Sequence, residues 1–202
     1  MSPLPLIDFT LQMDAGESLA LASLRGRRVV LYFYPKDDTS GCTLESCDFR
    51  DQFPRFRSVD AVILCISPDS AESHRKFKKK FALPFTLLVD ENHALAERLG
   101  IWVEKTFYGR KYMGVQRTTY VIGADGAVQH VFEKVNPAGH AGEVMAFLKH
   151  GLAAAQRVRA EFDAATAAAS RSPEAKKAAK RSAKQAASKT AVKARKKAAQ
   201  KK

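Results

Sequence analysis

An α/β fold, in which helices sandwich a β-sheet, is predicted for this 202-residue chain by two patterns in its sequence. Short runs rich in β-branched and aromatic residues recur between residues 29 and 132, as is typical of buried strands. Most of these runs are separated by segments whose apolar residues repeat at helical spacing. Such alternation is typical of a sheet with helices packed against it.

The first predicted strand is the run at residues 29–34, which ends at a proline. The segment after Gly41 is predicted to be a helix, because its aromatic residues are spaced as one apolar stripe. The stripe consists of Phe49, Phe53 and Phe56. Cys42 is therefore expected where a loop becomes the first turn of a helix.

The other elements follow the same alternation. Strands are predicted at residues 61–66, 85–89, 118–122 and 128–132, and helices at residues 70–81, 94–99 and from 143 onward. A Ser-Pro-Asp sequence at 67–69 is typical of a helix start, and the Gly-Ala-Asp-Gly sequence at 123–126 predicts a hairpin turn. The last helix is expected to bury one face, formed by Val144, Phe147, Leu148 and Leu152.

Cys42 and Cys47 are the residues that say most about function. At the start of a helix, unpaired N–H groups and the helix dipole favour an anion. Both effects lower the pKa of a thiol, which makes Cys42 a candidate redox nucleophile. Residues five apart on an α-helix have Cα atoms about 8.6 Å apart, whereas a disulfide needs less than about 7 Å. A bond between the two cysteines therefore requires the turn between them to unwind.

Non-catalytic interpretations of the cysteines, as core residues or as ligands of a structural metal, remain open at this point. Free cysteines are often small buried hydrophobic residues. A structural metal site usually has four ligands, and no histidine pair here has ligand spacing, so neither a metal nor a cofactor is expected. Cys65, inside the apolar run at 61–66, is predicted to belong to the core.

The residues around Cys42 resemble a known active-site signature. Pro35, Thr39 and Cys42, in the pattern Pro-x3-Thr-x2-Cys, are similar to the signature of the peroxiredoxins (AhpC/TSA family). The second cysteine five residues later resembles the bacterioferritin comigratory protein, or peroxiredoxin Q, subfamily. Further matches occur at residues 108–114, 117–122 and 139–140, and the resemblance covers about residues 3–150. Ser40 departs from the subfamily, which usually has proline there.

The resemblance implies a thioredoxin-like fold, with a central mixed β-sheet flanked by helices. It also implies a thiol-dependent peroxidase that reduces hydrogen peroxide and organic hydroperoxides. Cys42 then matches the peroxidatic cysteine, which becomes a sulfenic acid. Cys47 matches the resolving cysteine, which forms an intramolecular disulfide with it. Thioredoxin, or a similar dithiol, is the expected reductant, and a monomer is the expected state.

Four further site residues are implied by the same resemblance. Arg117 matches an arginine that stabilises the thiolate and the transition state, and Glu45 matches an acid that orients this arginine. Thr39 matches a hydroxyl that hydrogen-bonds the peroxide, and Pro35 matches a residue that shields the sulfur from water. Without the resemblance, Arg117 is a surface charge beside a strand and Glu45 an ordinary acid in a first helical turn.

The C-terminal end differs from the rest in composition. Residues 171–202 contain 13 Lys or Arg and one acid, whereas the whole chain carries a net charge of +13. With mostly alanine otherwise, this tail cannot bury enough apolar surface to fold alone, and we expect it to be disordered or partly helical. The predicted organisation is a peroxiredoxin domain at 1–152, a helix extension or linker at 153–170 and a basic tail at 171–202.

Non-specific DNA or RNA is an expected partner of the tail, through its phosphates; the alternative is a tail that only solubilises. Neither a signal peptide nor a membrane-spanning run is recognised in the sequence. No membrane contact and a cytoplasmic, or nucleoid-associated, location are therefore expected. The alternative function is a nucleic-acid-associated structural protein with a redox-sensing peroxiredoxin-like domain. The preferred peroxide does not follow from the sequence.

Overall fold

The computed structural model describes residues 8–107 and 109–171. The strands are β1 (Thr10–Met13), β2 (Ser18–Ala20), β3 (Arg28–Phe33), β4 (Ala61–Ser67), β5 (Thr86–Val89), β6 (Trp102–Phe107), β7 (Arg110–Val115), β8 (Thr118–Ile122) and β9 (Val128–Phe132). The helices are α1 (Ser40–Asp51), α2 (Phe53–Arg57), α3 (Ala71–Phe81), α4 (Ala94–Arg98), α5 (His140–His150) and α6 (Leu152–Arg171), with a 3-10 turn at Leu21–Leu24. Every strand predicted between residues 29 and 132 is present, as are the helices predicted at residues 70–81 and 94–99, with bounds that differ by few residues.

Seven of the strands form one sheet in the order β2-β1-β5-β4-β3-β8-β9. Strands β3, β4 and β5 run parallel to one another, whereas β1 is antiparallel to β5 and β8 is antiparallel to both β3 and β9. The sheet is therefore mixed, as the predicted fold class requires. Strand β3 lies between β4 and β8, so the loop that follows it begins at an interior strand rather than at an edge of the sheet.

Alternate residues of β3 belong to two separate cores. Val30 and Tyr32 face one side of the sheet, where they pack with buried residues of α1, α2, α3 and α5. Leu31 and Phe33 face the other side, where buried residues of α4 and of the strand β7 cover them. Because both faces of β3 are covered, its sequence is a continuous apolar run rather than an alternating one.

The structure corrects the predicted helix after Gly41. The stripe of phenylalanines is divided between α1, which holds Phe49, and α2, which begins at Phe53. Pro54 lies in the first turn of α2, and a proline inside a continuous helix would remove a hydrogen bond and clash with the preceding turn. Phe49 and Phe56 are fully buried, whereas Phe53 is only partly buried.

The last predicted helix is also two helices. Helix α5 ends at Gly151, whose φ of 81° lies in the left-handed region that interrupts a right-handed helix. The predicted buried face is correct for Val144, Phe147 and Leu148, which pack in the core. It is wrong for Leu152, which opens α6 and is 43% exposed, since the turn at Gly151 changes the direction of the chain.

The chain divides into two compact units, Met1–Gln156 and Arg157–Lys202. The described part of the second unit is the C-terminal portion of α6, whose side chains are mostly exposed up to residue 167. The predicted domain limits at 152 and 170 stay a prediction, and residues 172–202 of the basic tail lie outside the described residues. Within the described part of the chain, no helix is long and apolar enough to span a bilayer.

Candidate active site

Cys42 is the third residue of α1 and lies in its first turn. The preceding strand, β3, ends at Phe33, and the loop at 34–39 brings the chain to Thr39, the N-cap residue, which has extended backbone geometry. The Thr39 carbonyl accepts a hydrogen bond from the N–H of Thr43 at 2.8 Å. The thiol of Cys42 is buried, with 1% of the residue exposed. This is the helix-terminal position that the sequence predicts.

Arg117 is the cation that contacts this thiol. Its Nη2 lies 3.3 Å from the Sγ atom of Cys42, and its Nη1 donates to Oε2 of Glu45. The backbone of Arg117 is fixed where β8 begins, because its carbonyl accepts from the N–H of Val135 at 3.0 Å. The guanidinium group is buried, which lowers its pKa, but the negative charges of Glu45 and Cys42 outweigh this effect and raise the pKa above its usual value.

Glu45 holds the arginine from within the core. It is fully buried on the inner face of α1. Burial raises the pKa of its carboxyl group, while the nearby charges of Arg117 and His140 oppose that rise. Among the described residues, its second oxygen, Oε1, has no hydrogen-bond partner. The hydrogen-bonded oxygen of Glu45, Oε2, therefore orients Arg117 toward Cys42.

The loop before α1 carries the other two predicted site residues. Thr39 is exposed, and its hydroxyl donates to the carbonyl of Lys36 at 3.1 Å rather than to the Cys42 sulfur. Pro35 is partly buried at the start of the loop. The structure thus brings Arg117 into direct contact with both Cys42 and Glu45 and places Thr39 and Pro35 in the adjoining loop.

A buried carboxylate holds this loop in place. Asp37 accepts hydrogen bonds from Tyr34 at 2.6 Å, from Ser73 at 2.7 Å and from Nδ1 of His74 at 2.9 Å. Burial alone raises the pKa of Asp37, but the interaction with His74 and the two hydroxyl donors outweigh burial and lower the pKa. The loop is therefore anchored to α3 by an ionised side chain. No pattern in the sequence indicates a role for this cluster.

The three cysteines are all free thiols. Cys47 lies on α1, partly exposed, five residues after Cys42. Cys65 is fully buried in β4, as predicted, and burial raises the pKa of its thiol well above the usual value. In the described residues, no group of three or more His, Cys, Asp or Glu side chains is arranged to hold a metal ion.

Lys105 is a second cation whose charge acts on the site, and no pattern in the sequence indicated it. Its Nζ donates to the carbonyl of Val115 at 2.6 Å. The pKa of Lys105 is lowered by burial and by the charge of Arg117, while the charge of Cys42 acts in the opposite direction. Lys105 belongs to β6, which forms a separate two-stranded sheet with β7. No local pattern links residue 105 to residue 42, so only the fold reveals this second cation.

Gly41 is a further residue that lies beside Arg117. A Cβ atom at this position would lie 3.5 Å from Cγ of Pro137 and 3.6 Å from Nη2 of Arg117. The absence of a side chain therefore leaves room beside the guanidinium group. The signal in the sequence was only that Gly41 precedes Cys42 in the resembled motif.

The chain was compared with known proteins. Residues 4–131 match the AhpC/TSA family model. A putative peroxiredoxin Bcp of Coxiella burnetii is 47% identical over 137 residues, which is 68% of this chain and 91% of that protein. Peroxiredoxin Bcp of Bacillus subtilis is 47% identical over 142 residues, or 70% of this chain and 90% of that protein.

Solved structures agree with these relatives. The bacterioferritin comigratory protein of Xanthomonas campestris, solved as a trapped intermediate/ligand complex, superposes with a TM-score of 0.66 at 38% identity, covering 70% of this chain and 90% of that one. The chain belongs to the AhpC/TSA family, and within it to the thiol peroxidases of the bacterioferritin comigratory protein, or peroxiredoxin Q, type.

Proposed function

We propose that Cys42 is the peroxidatic cysteine of this peroxidase. The observation that carries the proposal is the 3.3 Å contact between Cys42 Sγ and Arg117 Nη2 in the first turn of α1, where the helix terminus also favours an anion. The Cys42 thiolate attacks one oxygen of the peroxide, the O–O bond breaks, and Cys42 becomes a sulfenic acid. The other oxygen leaves as hydroxide or alkoxide and takes up a proton to give water or an alcohol.

Arg117 acts on both anions of this step. Its charge stabilises the thiolate before attack, and its fixed N–H donors stabilise charge that develops on the peroxide during attack. Glu45 is the orienting residue, since it holds one nitrogen of the guanidinium group while the other faces Cys42. In the proposal, the exposed hydroxyl of Thr39 turns from Lys36 to bind the peroxide, and Pro35 limits the access of water to the sulfur.

Cys47 is proposed as the resolving cysteine. Its thiol attacks the sulfur of the Cys42 sulfenic acid, an S–S bond forms, and the S–O bond breaks with loss of water. Both cysteines lie on the continuous helix α1, on which Cα atoms five residues apart are about 8.6 Å from each other. The disulfide therefore forms only after the turn between the two residues unwinds.

The substrates, reductant and state of the protein complete the proposal. The substrates are hydrogen peroxide and organic hydroperoxides; alkyl peroxide reduction is the activity connected with the X. campestris structure. Thioredoxin, or a similar dithiol, reduces the Cys42–Cys47 disulfide. The protein acts as a monomer, since one chain supplies both cysteines, and in the cytoplasm, where thiols such as these stay reduced.

The basic tail supports a second, separate role. Its 13 Lys or Arg residues among 32 positions favour sequence-independent binding to the phosphates of DNA or RNA. Such binding tethers the peroxidase to nucleic acid and gives it a nucleoid-associated location. A nucleic-acid-associated structural protein with a redox-sensing domain is the alternative, and it requires no rapid turnover of peroxide.

Steady-state peroxide consumption with thioredoxin and thioredoxin reductase tests the proposal. The wild-type protein should turn over, and Cys42→Ser should abolish turnover, because a serine hydroxyl is a poor nucleophile at neutral pH. Cys65→Ser is the matched control and should retain activity. Turnover that survives in Cys42→Ser would refute the assignment, and absence of turnover in the wild type with any dithiol would favour the structural alternative.

A further inference from the structure

A buried pair of hydroxyl groups joins α1 to the sheet. The member of the pair on α1, Ser46, lies between the two cysteines in sequence. The hydroxyl of Ser46, on α1, lies 3.0 Å from the hydroxyl of Tyr32, on β3. Both residues are completely buried. Since a buried polar group that loses its partner is destabilised, this hydrogen bond resists any movement of Ser46 away from the sheet.

The structure also shows where α1 is held after Cys47. The Oδ2 atom of Asp48 accepts a hydrogen bond from the N–H of Ala141, at the start of α5, at 3.1 Å. The ring of Phe49 stacks on that of Tyr32 at 4.7 Å, with the planes 12° apart. These contacts lie beyond the turn that separates the cysteines. They keep the end of α1 in place when that turn unwinds.

We propose that the Ser46–Tyr32 hydrogen bond is the latch of α1, and that Ser46 is a positioning residue for disulfide formation. The proposal rests on the function proposed above, in which Cys47 resolves the Cys42 sulfenic acid. Unwinding of the turn has to release two internal anchors, the contact of Glu45 with Arg117 and that of Ser46 with Tyr32. The first anchor belongs to the catalytic machinery, whereas the second touches no reacting atom.

The latch matters because the sulfenic acid of Cys42 has two fates. With the turn unwound, Cys47 attacks the sulfur, the S–S bond forms and water leaves. With the turn helical, a second peroxide oxidises the sulfur instead: one oxygen is added to give a sulfinic acid, and the peroxide is reduced to water or an alcohol. The stability of the latch thus sets the ratio of disulfide to sulfinic acid at a given peroxide concentration.

The test uses the full chain with Tyr32→Phe, Ser46→Ala and both substitutions together. Hydrogen exchange of the reduced protein measures opening of residues 43–47, and mass spectrometry measures sulfinic acid on Cys42 per turnover. Each single variant should raise the opening equilibrium about fivefold, the effect of one hydrogen bond, and should lower the sulfinic fraction by a similar factor. The double variant should resemble the single ones, because both remove the same bond.

Ser67→Ala is the matched control, since Ser67 is a buried serine outside α1 whose hydroxyl donates to Asp69 at 2.7 Å. It should leave exchange in residues 43–47 unchanged. The proposal is overturned if neither single variant speeds exchange there, if their effects add in the double variant, or if exchange rises while the sulfinic fraction stays constant. If the wild type forms no Cys42–Cys47 disulfide, the proposed function fails, and the exchange data on reduced protein still report on the latch.

Discussion

At the level of single side chains, the site depends on one arginine that contacts both the sulfur of Cys42 and the carboxyl group of Glu45. Arg117 contacts the Cys42 sulfur through one nitrogen and the Glu45 carboxylate through another. Its side chain is only 12% exposed and that of Glu45 is fully buried. In such surroundings, electrostatic interactions are stronger than in water. In the proposed mechanism, Arg117 therefore presents to Cys42 a charge whose orientation is fixed before substrate arrives.

Arg117→Gln should lower kcat/KM for hydrogen peroxide by about 100-fold or more, the effect of removing one preorganised donor from a transition state. Arg117→Lys should recover part of this loss, because it restores the charge without the paired donors. Arg110→Gln, at an exposed position on β7, is the matched control. Stopped-flow measurement of the oxidation of Cys42 by peroxide checks this ranking of the variants. Equal rates for Arg117→Gln and Arg110→Gln would contradict the prediction.

The raised pKa of Glu45 predicts that the stability of the folded protein depends on pH. Burial raises the pKa of Glu45 above the usual 4.5 despite Arg117 and His140. At pH values above 4.5, Glu45 binds its proton more tightly in the folded protein than in the unfolded chain. The free energy of unfolding therefore falls as the pH rises through the raised pKa of Glu45. Relative to Glu45→Gln, the wild type should therefore gain stability as pH falls from neutral toward about 4.5. Urea denaturation at several pH values measures the difference, and a constant difference would contradict the shift.

The site residues differ in how far the sequence alone revealed them. Cys42 could be located from the strand, the loop and the helix start, all of which are local. Arg117 and Glu45 came only from the resemblance, because their contact joins residues 72 positions apart. Lys105 gave no signal, since its place depends on how the β6–β7 hairpin returns to the sheet.

At the level of elements, the twelve residues of α1 include the proposed nucleophile Cys42, the proposed orienting acid Glu45 and the second cysteine, Cys47. Its inner face is fully buried at Glu45, Ser46 and Phe49. Its beginning is free of side-chain capping, since Thr39 makes no cap hydrogen bond to the helix. A helix that is held at its inner face and end, and uncapped at its start, is suited to local unwinding from the N-terminal side.

Oxidation should therefore open residues 42–47 while the rest of the fold stays intact. Hydrogen exchange of these amides should be protected in the reduced protein and fast in the disulfide form, since the two cysteines are too far apart on a helix to bond. The central strand β3 serves as an internal reference that should stay protected in both forms. Unchanged protection of 42–47 after oxidation would place the resolving partner elsewhere.

The sequence revealed elements with continuous apolar runs and missed those without them. The edge strand β2 and its neighbour β1 are short and partly exposed, and β7 is exposed over its first four residues. Such strands are stabilised by pairing with neighbours rather than by burial, so their own residues carry little pattern. The breaks before Phe53 and at Gly151 escaped notice because helical spacing continues across both.

At the level of the whole molecule, charge is distributed very unevenly. The last 32 residues carry 13 of the 34 basic residues but only one of the 21 acidic ones. On the folded part, several basic side chains are engaged by acids, such as Lys78 with Asp14 and Lys80 with Asp38. The excess positive charge of the protein is therefore almost entirely a property of the tail.

A chain truncated after Ala169 should lose affinity for duplex DNA, whereas the full chain should bind without sequence preference. If all 13 basic residues of the tail engaged phosphates, the slope of log affinity against log salt would be about −12, and partial engagement gives about −4 to −8. Fluorescence anisotropy over a salt series measures this slope. Peroxide turnover is the control and should be nearly equal for the two chains. Equal DNA binding by both chains, or no binding by either at low salt, would indicate that the tail only solubilises the protein.

The presence of Cys42 and Cys47 on one helix, α1, has a kinetic consequence for the proposed disulfide step. Because the proposed attack of Cys47 on Cys42 joins residues of one helix, its rate is first order and independent of protein concentration. Over a hundredfold dilution the disulfide should form at the same rate, whereas a bond between two chains would slow in proportion. A protein with this arrangement keeps its resolving step even when it is scarce in the cell, and only the encounters with peroxide and with reductant depend on abundance.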